Sequence, residues 1–422
     1  MRMIFKLLNS APLLIIIYFL LGMNIRLYYS PAIKEGINTD LFEQLQYLRS
    51  RREHGAAKEM QQLFPEGLLF FECLYGLAWA DFISHMDRNS EISKQGKVEI
   101  EKCLKNINSP SSMEIFQEDL KLKNGAFFSG WSNYLLGRKL EISEESERSI
   151  AEINKFKTNC IKISESLKNS ETPYLESYTH NCWPADVIIC VASLALHDRV
   201  FEKKYDRLIE NWIEKVKNRL DIHGLIPHSV NYKSGIPLEN ARGESQSLIL
   251  SFLPEIDSAF SKLQYLRFKG LFVEKRLGLN AIREYPKGIE GQGDIDSGPV
   301  IWGIGTAATI VAQRAAQNNG DFTLANQIQN GIEAFGFPKV NGEGKFYLNG
   351  YLDMGDVFIA WTRSTEIKQN SKSNSWWQFS FHFWSLLIIL PLFYFLFQIW
   401  KNPKKRIGKP NNFQRSNFRD SV

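Results

Sequence analysis

The chain has 422 residues, 44% of them hydrophobic, and a formal net charge of +5. That length allows a large core and one to three domains. The positive excess sits in the tail, where Lys401, Lys404, Lys405, Arg406, Lys409, Arg415 and Arg419 face only Asp420, which argues against nucleic-acid binding by the body. Five cysteines, Cys73, Cys103, Cys160, Cys182 and Cys190, lack close-pair spacing, so neither a disulfide framework nor a zinc site is indicated.

Residues 7–23 form an apolar run interrupted by Asn9, Ser10 and Pro12, behind Arg2 and Lys6. No small-x-small cleavage site precedes Arg26, so residues 1–25 read as a retained signal anchor or transmembrane helix rather than a cleaved signal peptide.

Helical periodicity then dominates. Polar or amphipathic helices are predicted at 38–54, 94–106, 144–168, 205–220, 258–277 and 322–334. They alternate with apolar ones at 64–84, 131–140, 183–196, 244–253, 298–316 and 353–362. In the fifth apolar helix, Asp296 or Ser297 is a natural N-cap, Pro299 suits the first turn, and Gly303 and Gly305 allow close packing. About twelve helices in this alternation predict an all-α body, residues 38–365, folded as an (α/α)6 toroid of helical hairpins; an irregular α-solenoid is the alternative.

A polar linker at 366–375 leads to residues 376–400, which carry no Asp, Glu, Lys or Arg and are flanked by Trp376, Trp377 and Trp400. This is a transmembrane helix with interfacial anchors. The basic tail at 401–422 is expected in the cytoplasm by the positive-inside rule, which puts the body outside the cytoplasmic (inner) membrane, in an extracytoplasmic or periplasmic position.

In a toroid the loops that lead into the inner helices converge at one end, and polar and aromatic residues collect there. Phe128, Trp131 and Tyr134 mark the second such helix. Tyr178, His180, Cys182, Trp183 and Asp186 mark the third; His228, Arg242 and Glu244 the fourth; Tyr285, Glu290, Asp294 and Asp296 the fifth; Tyr351 and Asp353 the sixth. Carboxylates so gathered are acid–base candidates, with Asp186, Glu244, Asp294 and Asp296 first among them. Trp131, Trp183 and Tyr351 are candidate stacking faces, and Arg242, His180 and Tyr285 candidate positioning groups. The plainer alternatives are a helix-dipole role for Asp186, an Arg242–Glu244 structural pair, and core positions for Trp183 and Trp302. A dinucleotide fingerprint at 303–308 and a calcium loop at Asp294 both lack their context, and no cofactor or metal is indicated.

With the stretches NCWPAD at 181–186, ARGESQ at 241–246 and GDIDSGP at 293–299, the chain resembles the six-hairpin toroid superfamily. That group includes many glycoside hydrolases and lyases and also linalool dehydratase-isomerase. The resemblance implies an enzyme acting on a glycan or glycoconjugate. The alternatives are a dehydratase or isomerase of an isoprenoid alcohol, using Cys182, Asp186 and Cys190 on one helix face, and a non-catalytic binding or scaffolding toroid of the cell envelope.

Overall fold

The computed structural model describes residues 2–116, 119–365 and 376–401. The predicted linker and nearly all of the basic tail fall outside that range. Among the described residues sixteen α-helices predominate, with five two-stranded antiparallel hairpins. The chain divides into two compact units, Met1–Gly22 with His382–Val422, and Met23–Phe381.

In the first unit, α1 (Arg2–Arg26) and α16, numbered last in chain order (Phe379–Trp400), are each long and apolar enough to cross a membrane. Asn9 and Ser10, read from sequence as interruptions, donate back to Phe5 O and Lys6 O at 2.8 Å, so α1 continues through them. Trp400 Nε1 donates to Ser10 Oγ at 2.9 Å, and Lys6 Nζ to Trp400 O at 3.3 Å.

The second unit holds α2 (Thr39–Glu53), α3 (Ala56–Leu63), α4 (Gly67–Ile83), α5 (Glu91–Ile107), α6 (Pro110–Met113), α7 (Gly125–Ile142) and α8 (Ile150–Lys168). It continues with α9 (Pro184–Val200), α10 (Asp206–Lys217), α11 (Gly243–Ile256), α12 (Ser258–Phe272), α13 (Thr306–Asn318), α14 (Phe322–Phe335) and α15 (Asp353–Arg363). The apolar helices pack in succession: α4 on α7, α7 on α9, α9 on α11, α11 on α13, α13 on α15, and α15 back on α4. The amphipathic ones lie against them, α2 on α4 and α15, α5 on α4 and α7, α8 on α7 and α9, α10 on α9, α12 on α11, and α14 on α13.

Four aromatic rings from four of the apolar helices meet in the core. Trp131 of α7 contacts Phe70 of α4, Phe252 of α11 and Trp361 of α15 at centroid separations of 5.4, 5.7 and 6.2 Å. Such edge-to-face pairs add roughly 0.5–1.5 kcal/mol each beyond their burial. Near the C-terminal ends of these helices Asp81 binds Arg138 at 2.9 Å and Arg314 at 2.7 Å. Burial opposes the Asp81 charge, but Arg314 and Arg138 hold its carboxyl below the usual range.

Of these two sets, only the amphipathic one has side-chain N-caps, although α8 and α10 lack one. Side chains of Asn38, Ser90, Asp257 and Asp321 cap α2, α5, α12 and α14. None of α4, α7, α9, α11, α13 and α15 has a side-chain cap bond.

Several expectations need correction. Helix α3 is additional, and α7 starts six residues before the predicted 131, at Gly125, where Asn124 and Gly125 adopt φ of +66° and +77°. Phe128 and Tyr134 are therefore inside a helix and not on a leading loop. The helix predicted at 144–168 begins only at Ile150. The one predicted at 258–277 ends at Phe272 and turns into a hairpin, Val273–Arg276 with Leu279–Ile282, through Leu277 and Gly278 at positive φ. The helix predicted at 298–316 begins at Thr306, with Gly305 at its N-cap. Residues 300–305 instead pair as a hairpin whose tip is Trp302 and Gly303, at φ +52° and +78°. Neither Asp296 nor Ser297 caps that helix, and Pro299 precedes the hairpin.

Candidate functional site

Three acids and a tyrosine from separate elements share one region. Pro184 opens α9 and sets Asp186 in its first turn. The Asp186 carboxylate does not cap the helix; it accepts a hydrogen bond from Ser177 Oγ. Glu66, immediately before α4, accepts from Tyr178 Oη at 2.6 Å. The Tyr178 ring stands edge-on to Trp183, 6.0 Å away. Burial, opposed in part by the Ser177 hydrogen bond and reinforced by Asp296 and Glu66, pushes Asp186 up to about 7. Crowding by protein, then Asp294 and Glu66, pushes Asp296 up to about 6. Burial and the neighbouring Glu66, Asp186 and Asp296 keep the Tyr178 hydroxyl protonated. Among the described residues no donor reaches the Asp296 carboxylate, which stands open on the loop.

The second group is built around Arg242, just before α11. Arg242 Nε donates to Glu284 Oε1 at 2.9 Å and its NH1 to Asp294 Oδ2 at 2.5 Å. The Tyr285 ring lies 5.5 Å from the guanidinium. Glu244 Oε1 is 3.6 Å from Arg242 Nε and 3.2 Å from His228 Nδ1. Burial and the adjacent Glu284 raise Glu244 well above the carboxylate range, despite Arg242. Burial raises Glu284 to about 7, again against Arg242. For Asp294 burial is outweighed by Arg242 and the Ser297 N–H, and its carboxyl falls below the usual range. Burial and Arg242 depress His228 to about 4, so it is neutral at pH 7. Asp296 also raises Glu244, which ties the two groups together.

Local backbone geometry explains the placement of Glu284. Its carbonyl accepts from Gly243 N at 2.8 Å, and its N–H donates to Gly303 O at 3.0 Å. A Cβ on Gly243 would come within 2.0 Å of Arg283 O, so only glycine lets the start of α11 approach this strand. Asp294 in turn accepts from the N–H groups of Asp296 and Ser297 at 3.1 and 3.0 Å, which shapes the glycine-rich loop.

Thus Asp186, Glu244, Asp294, Asp296, Arg242, His228 and Tyr285 are brought together, with Trp183 beside them. Other predicted residues lie elsewhere. Trp131 is buried in the aromatic core and offers no face to a ligand. Tyr134 is buried and donates to Glu255 at 2.7 Å. Cys182 and Cys190 are buried, their thiols donating to Leu175 O and Ala126 O at 2.9 and 3.2 Å. His180 is exposed and stacks on Tyr232 at 4.7 Å. Glu290 pairs with Arg283 at 2.9 Å. Asp353 is held by Arg51 through two bonds of 2.9 and 2.8 Å, and Tyr351 is 86% exposed. Trp302, weighed from sequence as a core residue, is exposed.

Glu66, Ser177 and Glu284 belong to the site but were not singled out from sequence, whereas Tyr178 was, on the leading loop of the third apolar helix. Glu66 had a usable signal, since it follows Pro65 directly ahead of an apolar helix, as Asp186 follows Pro184. A groove of about 1240 Å³ runs between α5, α7 and α8, and none of these acids lines it. Among the described residues no group of three or more His, Cys, Asp or Glu is arranged to hold a metal ion. No protein-family model matches the sequence, and no curated protein matches it significantly.

Proposed function

We propose that the chain is a membrane-anchored, extracytoplasmic enzyme that acts on a glycan or glycoconjugate by carboxylate acid–base catalysis, on an (α/α)6 toroid. The succession of helix contacts that returns from α15 to α4 supports the toroid. The basic residues beyond Trp400 support a cytoplasmic tail and a body outside the membrane.

One observation carries the chemistry: Asp186 and Asp296 come from different elements, neither caps a helix, and burial with neighbouring carboxylates raises them to about 7 and about 6. Asp296 acts on Asp186, and Asp294 and Glu66 act on Asp296, so that between those values one acid is protonated while the other is ionised. That division of labour is what cleavage of a glycosidic bond requires. Asp186, bonded to Ser177, is the acid that protonates the leaving oxygen. Asp296 is the base or nucleophile, and Arg242 holds Asp294 and Glu284 in place beside it. Tyr178 and Trp183 supply a hydroxyl and a ring at the same position.

The dehydratase or isomerase reading draws less support, because the thiols of Cys182 and Cys190 are committed to backbone carbonyls. A scaffolding toroid gives no reason for two acids from separate elements to be held uncapped together. The test is turnover by the full chain on a panel of oligosaccharides, with Asp186→Asn and Asp296→Asn compared at equal helical content. A loss of 10³-fold or more is expected in each. Undiminished turnover in both variants would sink the assignment.

A further inference from the structure

Three segments that carry or contact the site residues also present apolar side chains to solvent. Ile295 stands between Asp294 and Asp296 and is 66% exposed. Leu238, 67% exposed, precedes Glu239, whose carboxylate lies 3.5 Å from His228 Nε2. Ile301 and Trp302, 61% and 71% exposed, lie at and beside the tip of the hairpin whose Gly303 carbonyl holds the Glu284 N–H.

Trp302 is fixed in this position. Its φ is +52°, a conformation that strains any residue other than glycine, and its carbonyl accepts from Arg276 NH2 at 3.0 Å. Single exposed apolar residues are ordinary, and Ile150 and Leu266 are examples on the outer helices. Four on segments that carry or contact the site residues are different, because apolar side chains at the edge of a polar site mark a ligand with an apolar part.

The charge of these loops narrows the ligand further. Glu239, Glu290, Asp294 and Asp296 are acidic, and the cation beside them, Arg242, is already engaged by Glu284 and Asp294. A phosphate or diphosphate would meet repulsion from these four carboxylates.

Resting on the proposed glycan chemistry, we infer that the substrate is amphiphilic: a sugar joined by an uncharged glycosidic link to a hydrocarbon chain, which lies on Leu238, Ile295, Ile301 and Trp302 while the sugar faces the acids. The hydrocarbon then sits next to the bond that is cleaved. Water adds across that bond, the anomeric carbon takes the hydroxyl, and the lipid alcohol leaves with the proton supplied by Asp186. Two membrane-length helices in the same chain suit a substrate that resides in a bilayer.

The test uses the full chain in phosphatidylcholine nanodiscs with matched methyl and octyl glycosides of common hexoses, below the micelle concentration of the octyl compounds. The expected result is a kcat/KM for one octyl glycoside at least tenfold above its methyl partner. Leu238→Ser, Ile301→Ser and Trp302→Ser should bring that octyl-to-methyl ratio toward one. Because the ratio is taken within a single variant, partial unfolding cancels from it. Monooctyl phosphate should not compete. Equal turnover of both glycosides, lost in Asp186→Asn, would overturn the inference and leave the glycosidase reading standing. Competition by octyl phosphate as strong as by octyl glycoside would overturn the uncharged link. Turnover of neither glycoside would remove the glycosidase reading and this inference with it.

Discussion

Arg242 Nε donates to Glu284 Oε1 at 2.9 Å, and both side chains are almost wholly withdrawn from water. This pair sits where the start of α11, the Arg283–Glu284 strand and the Asp294 loop meet, so its loss is felt by all three. Removing one partner of a buried pair leaves the other charge uncompensated and costs about 3–5 kcal/mol. Arg242→Ala should lose stability on that order in urea denaturation. The loss should be smaller at pH 5 than at pH 8, because Glu284 and Glu244 can take up protons in acid and shed the repulsion that Arg242 now offsets.

Asp186→Asn should abolish turnover and yet stabilise the fold. The folded carboxyl is raised from 3.8 to about 7, so the folded state keeps a proton that the unfolded chain releases. Stability therefore falls as pH rises from about 4 to about 7, and the wild type bears the full cost above that window. Asparagine removes it. At pH 8 the variant should gain on the order of 1–3 kcal/mol, and below pH 4 almost nothing, as followed by urea midpoints across pH. A variant less stable than wild type at pH 8 would show that the fold favours the ionised carboxylate of Asp186 and that its pKa is not raised.

Turnover should follow a narrow bell. Ionising Asp296 opens the ascending limb near pH 6, and ionising Asp186 closes it near pH 7. The descending limb depends on both acids, since the Asp296 charge raises Asp186. Asp296→Asn should therefore shift the descending limb to lower pH in whatever activity remains. An unchanged descending limb would mean that the two acids do not sense one another.

Two glycine substitutions should move stability in opposite directions. In Gly243→Ala the new methyl meets Arg283 O at 2.0 Å, which forces α11 away from the Glu284 strand and should cost about 1–3 kcal/mol along with activity. Gly270, in the last turn of α12, has nothing within 4 Å of its added carbon. Gly270→Ala should raise stability by roughly 0.5–1 kcal/mol through helix propensity. Thermal melting of the two variants side by side tests the contrast.

The helical body was legible because burial on one face leaves a periodic trace: α2, α4, α5, α9, α10, α14 and α15 fall within a few residues of their predicted limits. The hairpins left no such trace. Val300 to Ala312 carries no charge and is mostly apolar, which suits a buried helix as well as a short strand. What breaks it is positive φ at Trp302, a residue that gives no turn signal. In the same way Phe128, Trp131 and Tyr134 read as a site because they are aromatic, whereas they fill the core. Asp186, Arg242, Glu244, Asp294 and Asp296 could be read because they sit in short polar stretches next to apolar helices. Glu284 gave no such signal, since it is brought in by Arg242, 42 residues earlier, where the start of α11 meets the segment after the 273–282 hairpin.

The packing of α15 on α4 bears on how the body is made. Residues 67–83 emerge first and their last neighbour, 353–363, emerges almost three hundred residues later. The entropic cost of so wide a closure grows only slowly with length, by about 0.6 kcal/mol per doubling, but contacts this distant in sequence slow folding. Until α15 arrives, Phe70 lacks its partner Phe358, and Trp131 and Phe252 lack Trp361. A chain stopped before Asp353 loses the partner of both α4 and α13, so its earliest and latest helices fail together.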